Sequence, residues 1–338
     1  MNKRALAVIA LCLSFAWVPN VSADSRPEWL SGNSKRFPSE FYLTGLGQSS
    51  SLVQANDAAR AELGKTIRVS IKSDLASRQS VTAQKSGGKS SEQISSETMQ
   101  RISSSSRVDL QGVDIAENWM DPHTKEHFSL AVLDRKKGEI GLQQEMGILE
   151  KDISALLGSS EQGDDVLARI GFMMQAREKL DRHIELNQYL RVVSMTNKGR
   201  EAPISGADYG RELTALQNSI AISVVGEGEY KADLEEQARG GLAKAGFKTD
   251  AGAGAMELKV AVKLEKPMKK EPWFWVRGSL TVSLIDKASG KQRGVHGWDL
   301  KSSATDSALA AQRAVTKAKE MLHNELGGVI LGFADTKP

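Results

Sequence analysis

The sequence predicts an α+β protein: two small domains with antiparallel sheets covered by helices, separated by a long antiparallel helical hairpin. Three observations carry this. Ala55, Ala59, Leu63, Ile67 and Ile71 recur every fourth residue, and Val166, Ile170, Met173, Leu180, Ile184 and Leu190 fall largely three, four or seven apart. Both patterns place an apolar stripe on one helix face. Leu258, Val260, Val262 and Leu264 alternate with Glu257, Lys259, Ala261 and Lys263, the period of a half-buried strand. Strands and helices mix in both end regions, so helices are expected to cover one face of each mainly antiparallel sheet.

The chain opens with Lys3 and Arg4, an apolar stretch from Ala5 to Val18, and Val21-Ser22-Ala23. This three-part order reads as a secretory signal, residues 1–23, cleaved between Ala23 and Asp24. The location expected from it is periplasmic, with outer-membrane association as an option. Cys12 is the only cysteine. It lies inside the apolar stretch behind Leu11, where a lipidation motif needs a small residue, so lipidation there is not expected. A mature chain without cysteine excludes disulfides, zinc thiolate sites and cysteine nucleophiles. Removing Lys3 and Arg4 lowers the formal charge from +3 to +1, which argues against a global field for nucleic acid. No later run of about 18 apolar residues offers a membrane span.

In the first domain, residues 24–135, a strand at Phe41–Gly45 leads into a helix from Leu52 to Ser73. A polar excursion follows at 77–107, rich in serine, glycine and lysine. Strands are expected at Val108–Trp119 and His127–Leu133, joined by the turn Asp121-Pro122-His123-Thr124. The hairpin spans 136–196, with helices at Lys137–Leu157 and Asp165–Ser194 broken by GSSEQGDD. Residues 197–212 read as a linker, because NKGREAPISGAD gathers turn residues. The second domain, 213–338, offers a strand at 220–225 and a helix from Tyr230 to Ala245, closed by Gly246. Strands follow at 257–264 and 274–286, and a third runs through Trp298 after the turn at 288–291. A last helix from Asp306 to Leu326 is expected to stop at Gly327-Gly328.

Several motifs invite a chemical reading and fail on context. Gly45-Leu46-Gly47 lacks the third glycine and the prompt parallel strand of a dinucleotide fold. The pair reads instead as a tight strand-to-helix turn. Gly64-Lys65-Thr66 resembles the tail of a phosphate loop, but the first glycine of that loop is replaced by Ala59 and the segment falls inside a helix. Asp121, His123, Glu126 and His127 straddle a hairpin turn, where polar residues belong without a metal. Asp164-Asp165 and Glu235-Glu236 sit at helix starts or on solvated faces. His183, His296 and His323 are scattered, and no serine sits in a nucleophile elbow. No catalytic constellation, metal site or cofactor site stands out.

The most distinctive local chemistry is KPMKKEPWFWVR, residues 266–277. Phe274, Val276, Leu280, Val282 and Leu284 share the apolar face of a strand, so Trp273, Trp275 and Arg277 point the other way, close to Lys269 and Lys270. One reading covers the tryptophans with another element. The other makes these five residues an exposed aromatic-basic ledge for a partner, a glycan or a lipid headgroup.

Taken together, PEWL at 27–30, FYLTGLGQS at 41–49, the AARAEL helix, LQGVDIAENW and FSLAVLDR resemble the LPP-20 lipoprotein family over residues 27 to about 140. The resemblance implies a secreted envelope protein, in a family whose members are often lipidated and outer-membrane associated. It gives Pro27-Glu28-Trp29, Gly45 and Gly47, and Ala131–Arg135 as the matching features. The last domain is similar, in its order of strand, helix, strands and helix, to the amino-terminal domain of TolB. The pairing of the two domain types is reminiscent of flagellar H-ring proteins. These resemblances imply no catalytic residue. The expectation is a non-enzymatic adaptor or scaffold of the bacterial envelope, with other envelope proteins as partners and a homo-oligomer as an option. A peptidoglycan or glycan binding module and a flagellar basal-body accessory protein are the alternatives, and a hydrolase with dispersed carboxylates comes third.

Overall fold

The computed structural model describes residues 26–32, 34–85, 112–250 and 254–335. The signal segment with Cys12, Ala23 and Asp24, the excursion beyond residue 85 and the expected strand start at Val108 lie outside them. The described residues form α+β structure in two compact units. One draws on residues up to Thr66 and on Gly112–Asp134; the other draws on Ile67–Gln111 and Arg135–Pro338.

The first unit holds β1 (Tyr42–Ser49), the start of α1 (Leu52–Lys85), β2 (Val113–Met120) and β3 (His127–Asp134). The strands pair antiparallel in the order β1-β3-β2. Asp121 forms the β2–β3 turn by accepting the amides of His123 and Thr124 at 2.8 and 3.3 Å. Ser51 starts α1 by accepting the amide of Gln54. The stripe of Ala55, Ala59, Leu63, Ile67 and Ile71 is buried throughout.

The helix outruns its expected end at Ser73. Residues 74–85 contain neither glycine nor proline, and Asp74 braces Arg78 one turn on at 2.8 Å. Gly45 and Gly47 are not in a strand-to-helix turn: they lie within β1, against α1. The other sheet face is covered by the segment that starts with a single 3-10 turn, Glu28–Ser31. Trp29, Leu30 and Phe37 pack there on Leu130, Val132, Trp119 and Phe128.

In the second unit the later part of α1 is followed by α2 (Arg135–Gln162) and α3 (Val166–Val193), an antiparallel pair. Asp165 caps α3 by accepting the amides of Leu167 and Ala168. The hairpin is part of this unit rather than a spacer. Leu167 and Ile170 of α3 enter the core of the second sheet.

The region read as a linker carries α4 (Gly206–Ser219). Ser205 caps it, and Tyr209, Leu213 and Leu216 lay an apolar face on Ile153, Met173 and Leu180 of the hairpin. The turn residues before it end at Ser205, and the helical spacing begins there.

The sheet contains β4 (Ala221–Glu227), β5 (Lys248–Thr249), β6 (Met256–Leu264), β7 (Met268–Lys270), β8 (Trp273–Asp286) and β9 (Gln292–Ala304). α5 (Lys231–Lys244) lies between β4 and β5, and α6 (Ser307–Asp335) ends the described chain. β4 runs parallel to both β5 and β6, because α5 returns the chain to the end where β4 began; the remaining pairs are antiparallel. The sheet is therefore mixed. β7 continues the flank of β6 along β8, and β9 forms the opposite flank.

α5 and α6 cover one face, where Leu258, Val260, Leu280, Val282 and Leu284 meet Leu234, Leu242, Leu322 and Leu326. α6 runs straight through Gly327-Gly328. A β-carbon on Gly327 would lie 2.4 Å from the Cβ of Ala245, so this glycine allows close packing instead of ending the helix.

Candidate interaction surface

The opposite face of the second sheet carries the predicted ledge. Alternation along β8 sends Phe274, Val276, Leu280, Val282 and Leu284 inward and Trp273, Trp275 and Arg277 outward. Phe274 is half-buried, and Val276, Leu280, Val282 and Leu284 are fully buried. Trp273 is 43% exposed, Arg277 is exposed, and Trp275 is half-buried. Met268 pairs with Trp275 and Lys270 with Trp273, so both join the outer face; Met268 is 45% exposed.

Lys269 departs from the expected set. It pairs with Phe274 and so belongs to the other face, with its ammonium 2.9 Å from Glu271. The one-residue difference between Lys269 and Lys270 decides their sides, because side chains alternate.

The register adds cations that KPMKKEPWFWVR does not contain. Lys301 of β9 lies directly opposite Arg277, and its ammonium stands 5.0 Å from the centre of the Trp275 ring. That is within range for an ammonium held by an aromatic face. Lys263 of β6 pairs with Ser279, placing it on the same face. Two cations directly opposite each other across a ladder repel. Among the described residues no carboxylate comes within ion-pair distance of Lys263, Lys270, Arg277 or Lys301. The register places Lys259, Lys263, Lys270, Arg277 and Lys301 on this face with the carboxylates Glu257 and Asp299, so cations outnumber carboxylates there. The resulting potential is positive and faces solvent.

Lys301 and Lys263 were open to sequence reasoning in part. The alternation of KVAVKL fixes the side of Lys263, and counting back across the hairpin turn places Lys301 beside Arg277. What no counting supplies is the closeness of the ammonium to the Trp275 ring.

A second polar cluster escaped the sequence entirely. His183, buried in α3, places Nε2 3.0 Å from Oε1 of Glu150 in α2. The guanidinium of Arg200 holds the other oxygen of Glu150, and the amide of Arg200 donates to Asn187 at 2.8 Å. Burial alone would raise the Glu150 carboxyl, but the hydrogen bonds from His183 and Arg200 and their charges hold it below the usual glutamate range. A shallow cleft of about 890 Å³ opens beside it, lined by Gln143, Ile148, Glu150, Ser154, Arg200 and Pro203. With 33 and 50 residues between its members, this cluster has no local sequence signature. It ties the segment after α3 to the hairpin. Among the described residues no three metal-ligating side chains gather.

The first unit is the part that a known family matches: a Trp-bearing 3-10 turn, a β-strand with two glycines beneath a helix, and a closing hairpin. Residues 27–134 match the LPP20 lipoprotein family. The match ends at Asp134, the last residue of β3 and of the first unit. It covers about a third of the chain.

No curated protein matches the chain. Among solved structures, the chain is similar to a secreted protein of Helicobacter pylori at 12% identity, covering 87% of this chain and 97% of that one, with a TM-score of 0.46. It is also similar to a putative lipoprotein of Caulobacter crescentus at 21% identity, over 33% of this chain and 87% of that one, with a TM-score of 0.24. A minor lipoprotein of Acinetobacter baumannii matches at 14% identity, over 35% and 96%, with a TM-score of 0.26.

Proposed function

We propose that this protein is a non-enzymatic adaptor of the bacterial cell envelope, exported to the periplasm, which uses the bare face of its second sheet to hold another envelope component. The envelope placement is supported by the lipoprotein-family match over residues 27–134 and by the signal-like first 23 residues. The reading of Cys12 as unlipidated finds no support in that match, which is to a lipoprotein family. A mature chain beginning at Asp24 and one beginning at an acylated Cys12 differ in mass, and mass spectrometry of the exported protein separates them.

The observation that carries the adaptor role is the ledge: Trp273 and Met268 exposed among four cations without a carboxylate partner. Exposed aromatic and arginine side chains on one surface are the composition of a contact site. The glycan alternative takes second place because the ammonium of Lys301 already stands over the Trp275 ring, where a sugar would stack. The flagellar alternative rests on the pairing of the two domain types, the second with its order of strand, helix, strands and helix from β4 to α6.

A photoreactive amino acid at Trp273 or Thr281 tests the adaptor reading in living cells. Discrete crosslinked adducts, to protein or to lipid, are expected from both positions on the sheet face. A chain that stays uncrosslinked and monomeric at both overturns it.

A further inference from the structure

We infer that the ledge docks on the surface of an anionic phospholipid bilayer, with Trp273 and Met268 entering the interfacial zone and the surrounding cations facing lipid phosphates. The inference rests on the envelope placement proposed above and names the component that the ledge meets.

Three features of the ledge favour a bilayer over a folded partner. The first is its charge. Lys263, Lys270, Arg277 and Lys301 share one face without a carboxylate partner among the described residues, and Arg277 and Lys301 are directly opposed. Such a like-charge pair is unfavourable until anions stand above it, and a lipid surface supplies them at high density. The second is the kind of apolar group present. Trp273 is 43% and Met268 is 45% exposed, and both lie on the β7–β8 hairpin beside Lys270. Tryptophan flanked by lysine and arginine suits the headgroup level, where the ring is partly buried and the charges stay wet. The third is shape. The ledge is the open face of a sheet, on which the outward residues of β6, β7, β8 and β9 stand in register. Cations spread over four strands, in excess over Asp299 and Glu257 on the same face, suit a surface of many phosphates, whereas a single bound anion would need converging donors.

Vesicle sedimentation of the whole mature chain tests this. Vesicles of phosphatidylethanolamine with phosphatidylglycerol are compared with pure phosphatidylcholine at about 0.05 M and about 0.5 M sodium chloride. Binding to the anionic vesicles should exceed binding to the neutral ones by roughly tenfold or more and be mostly lost at the higher salt. The double variant Lys270→Glu with Arg277→Glu should lower it by roughly tenfold, and Trp273→Ala should lower it a few-fold. Lys317→Glu, on the exposed side of α6, should leave it unchanged. Thermal melts followed by circular dichroism show that each variant folds.

Equal binding to neutral and anionic vesicles, or full binding by the folded double variant, overturns the inference. So does release by inorganic phosphate at constant ionic strength, since that would mark a small-anion site. Protein adducts from a photoreactive residue at Trp273 without vesicle binding overturn the lipid assignment and leave the adaptor reading standing. Absence of both overturns the two together.

Discussion

A β-carbon on Gly45 would lie 2.4 Å from the backbone nitrogen of Leu63, closer than atoms can approach. The neighbouring case is tighter still, since a β-carbon on Gly47 would lie within 2.2 Å of the Ala55 carbonyl oxygen and the Ala59 nitrogen. These two glycines let α1 rest directly on β1. The obstructing atoms are helix backbone, so a side chain at either position must push the helix away. Gly45→Ala and Gly47→Ala should each cost about 3 kcal/mol, the upper part of the usual range for overpacking. Urea denaturation followed by tryptophan fluorescence measures this, and a midpoint unchanged from wild type would refute the packing role.

The same glycines show what sequence alone conveys about the fold. The stripe from Ala55 to Ile71 was legible because its period is local, and every member is buried as predicted. The outward direction of Trp273, Trp275 and Arg277 followed from alternation alone. Gly45 and Gly47 were assigned to a turn because a glycine that admits a neighbouring helix looks the same as one that bends the chain. Gly327 misled in the same way, since its contact with Ala245 joins residues 82 apart. The parallel placement of β4 depends on where α5 lands, and α4 was hidden behind the turn residues that precede it. Lys269 failed by one residue, where the register of a three-residue strand had to be known.

Glu150 binds two partners at once, His183 Nε2 and the Arg200 guanidinium, and its carboxyl titrates below the usual glutamate range. The sign follows from which state takes up the proton first. As pH falls toward about 4.5 the unfolded chain protonates Glu150 before the folded chain does, so stability is lost on acidification through the folded value. Glu150→Gln should cost about 1–3 kcal/mol at neutral pH and remove that part of the acid dependence. Urea midpoints measured from pH 7 down to about pH 3 check both effects. A variant whose curve parallels wild type would show that Glu150 does not carry this linkage.

Tyr209 donates its hydroxyl to the carbonyl of Met173 at 2.8 Å from within the contact between α4 and the hairpin. Burial pushes its pKa up to about 12. Between about pH 10, where the unfolded phenol ionises, and pH 12 the unfolded state loses its proton first, so stability falls as pH rises. Tyr209→Phe should cost about 1 kcal/mol at pH 7 through the lost hydrogen bond. The gap to wild type should close as pH rises through that window, because the variant has no phenol to ionise. Denaturation midpoints at neutral and alkaline pH decide it, and a constant gap would refute the buried, protonated phenol.

The continuation of α6 past Gly327-Gly328 brings Ile330, Phe333 and Ala334 into the core of the second sheet, where Ile330 is fully buried. A β-carbon on Gly294 of β9 would lie 2.2 Å from Cδ1 of Phe333, so the ring lies flush against the strand. Removing the Ile330 side chain leaves a cavity that a sheet on one side and α6 on the other cannot close without moving. Ile330→Ala should therefore cost about 2–5 kcal/mol. Lys317→Ala, on the exposed side of the same helix, should stay within about 0.5 kcal/mol of wild type. If the last turns of α6 were frayed, both substitutions would be equally silent in chemical denaturation. A large loss confined to Ile330 is the outcome that a helix packed to its end requires.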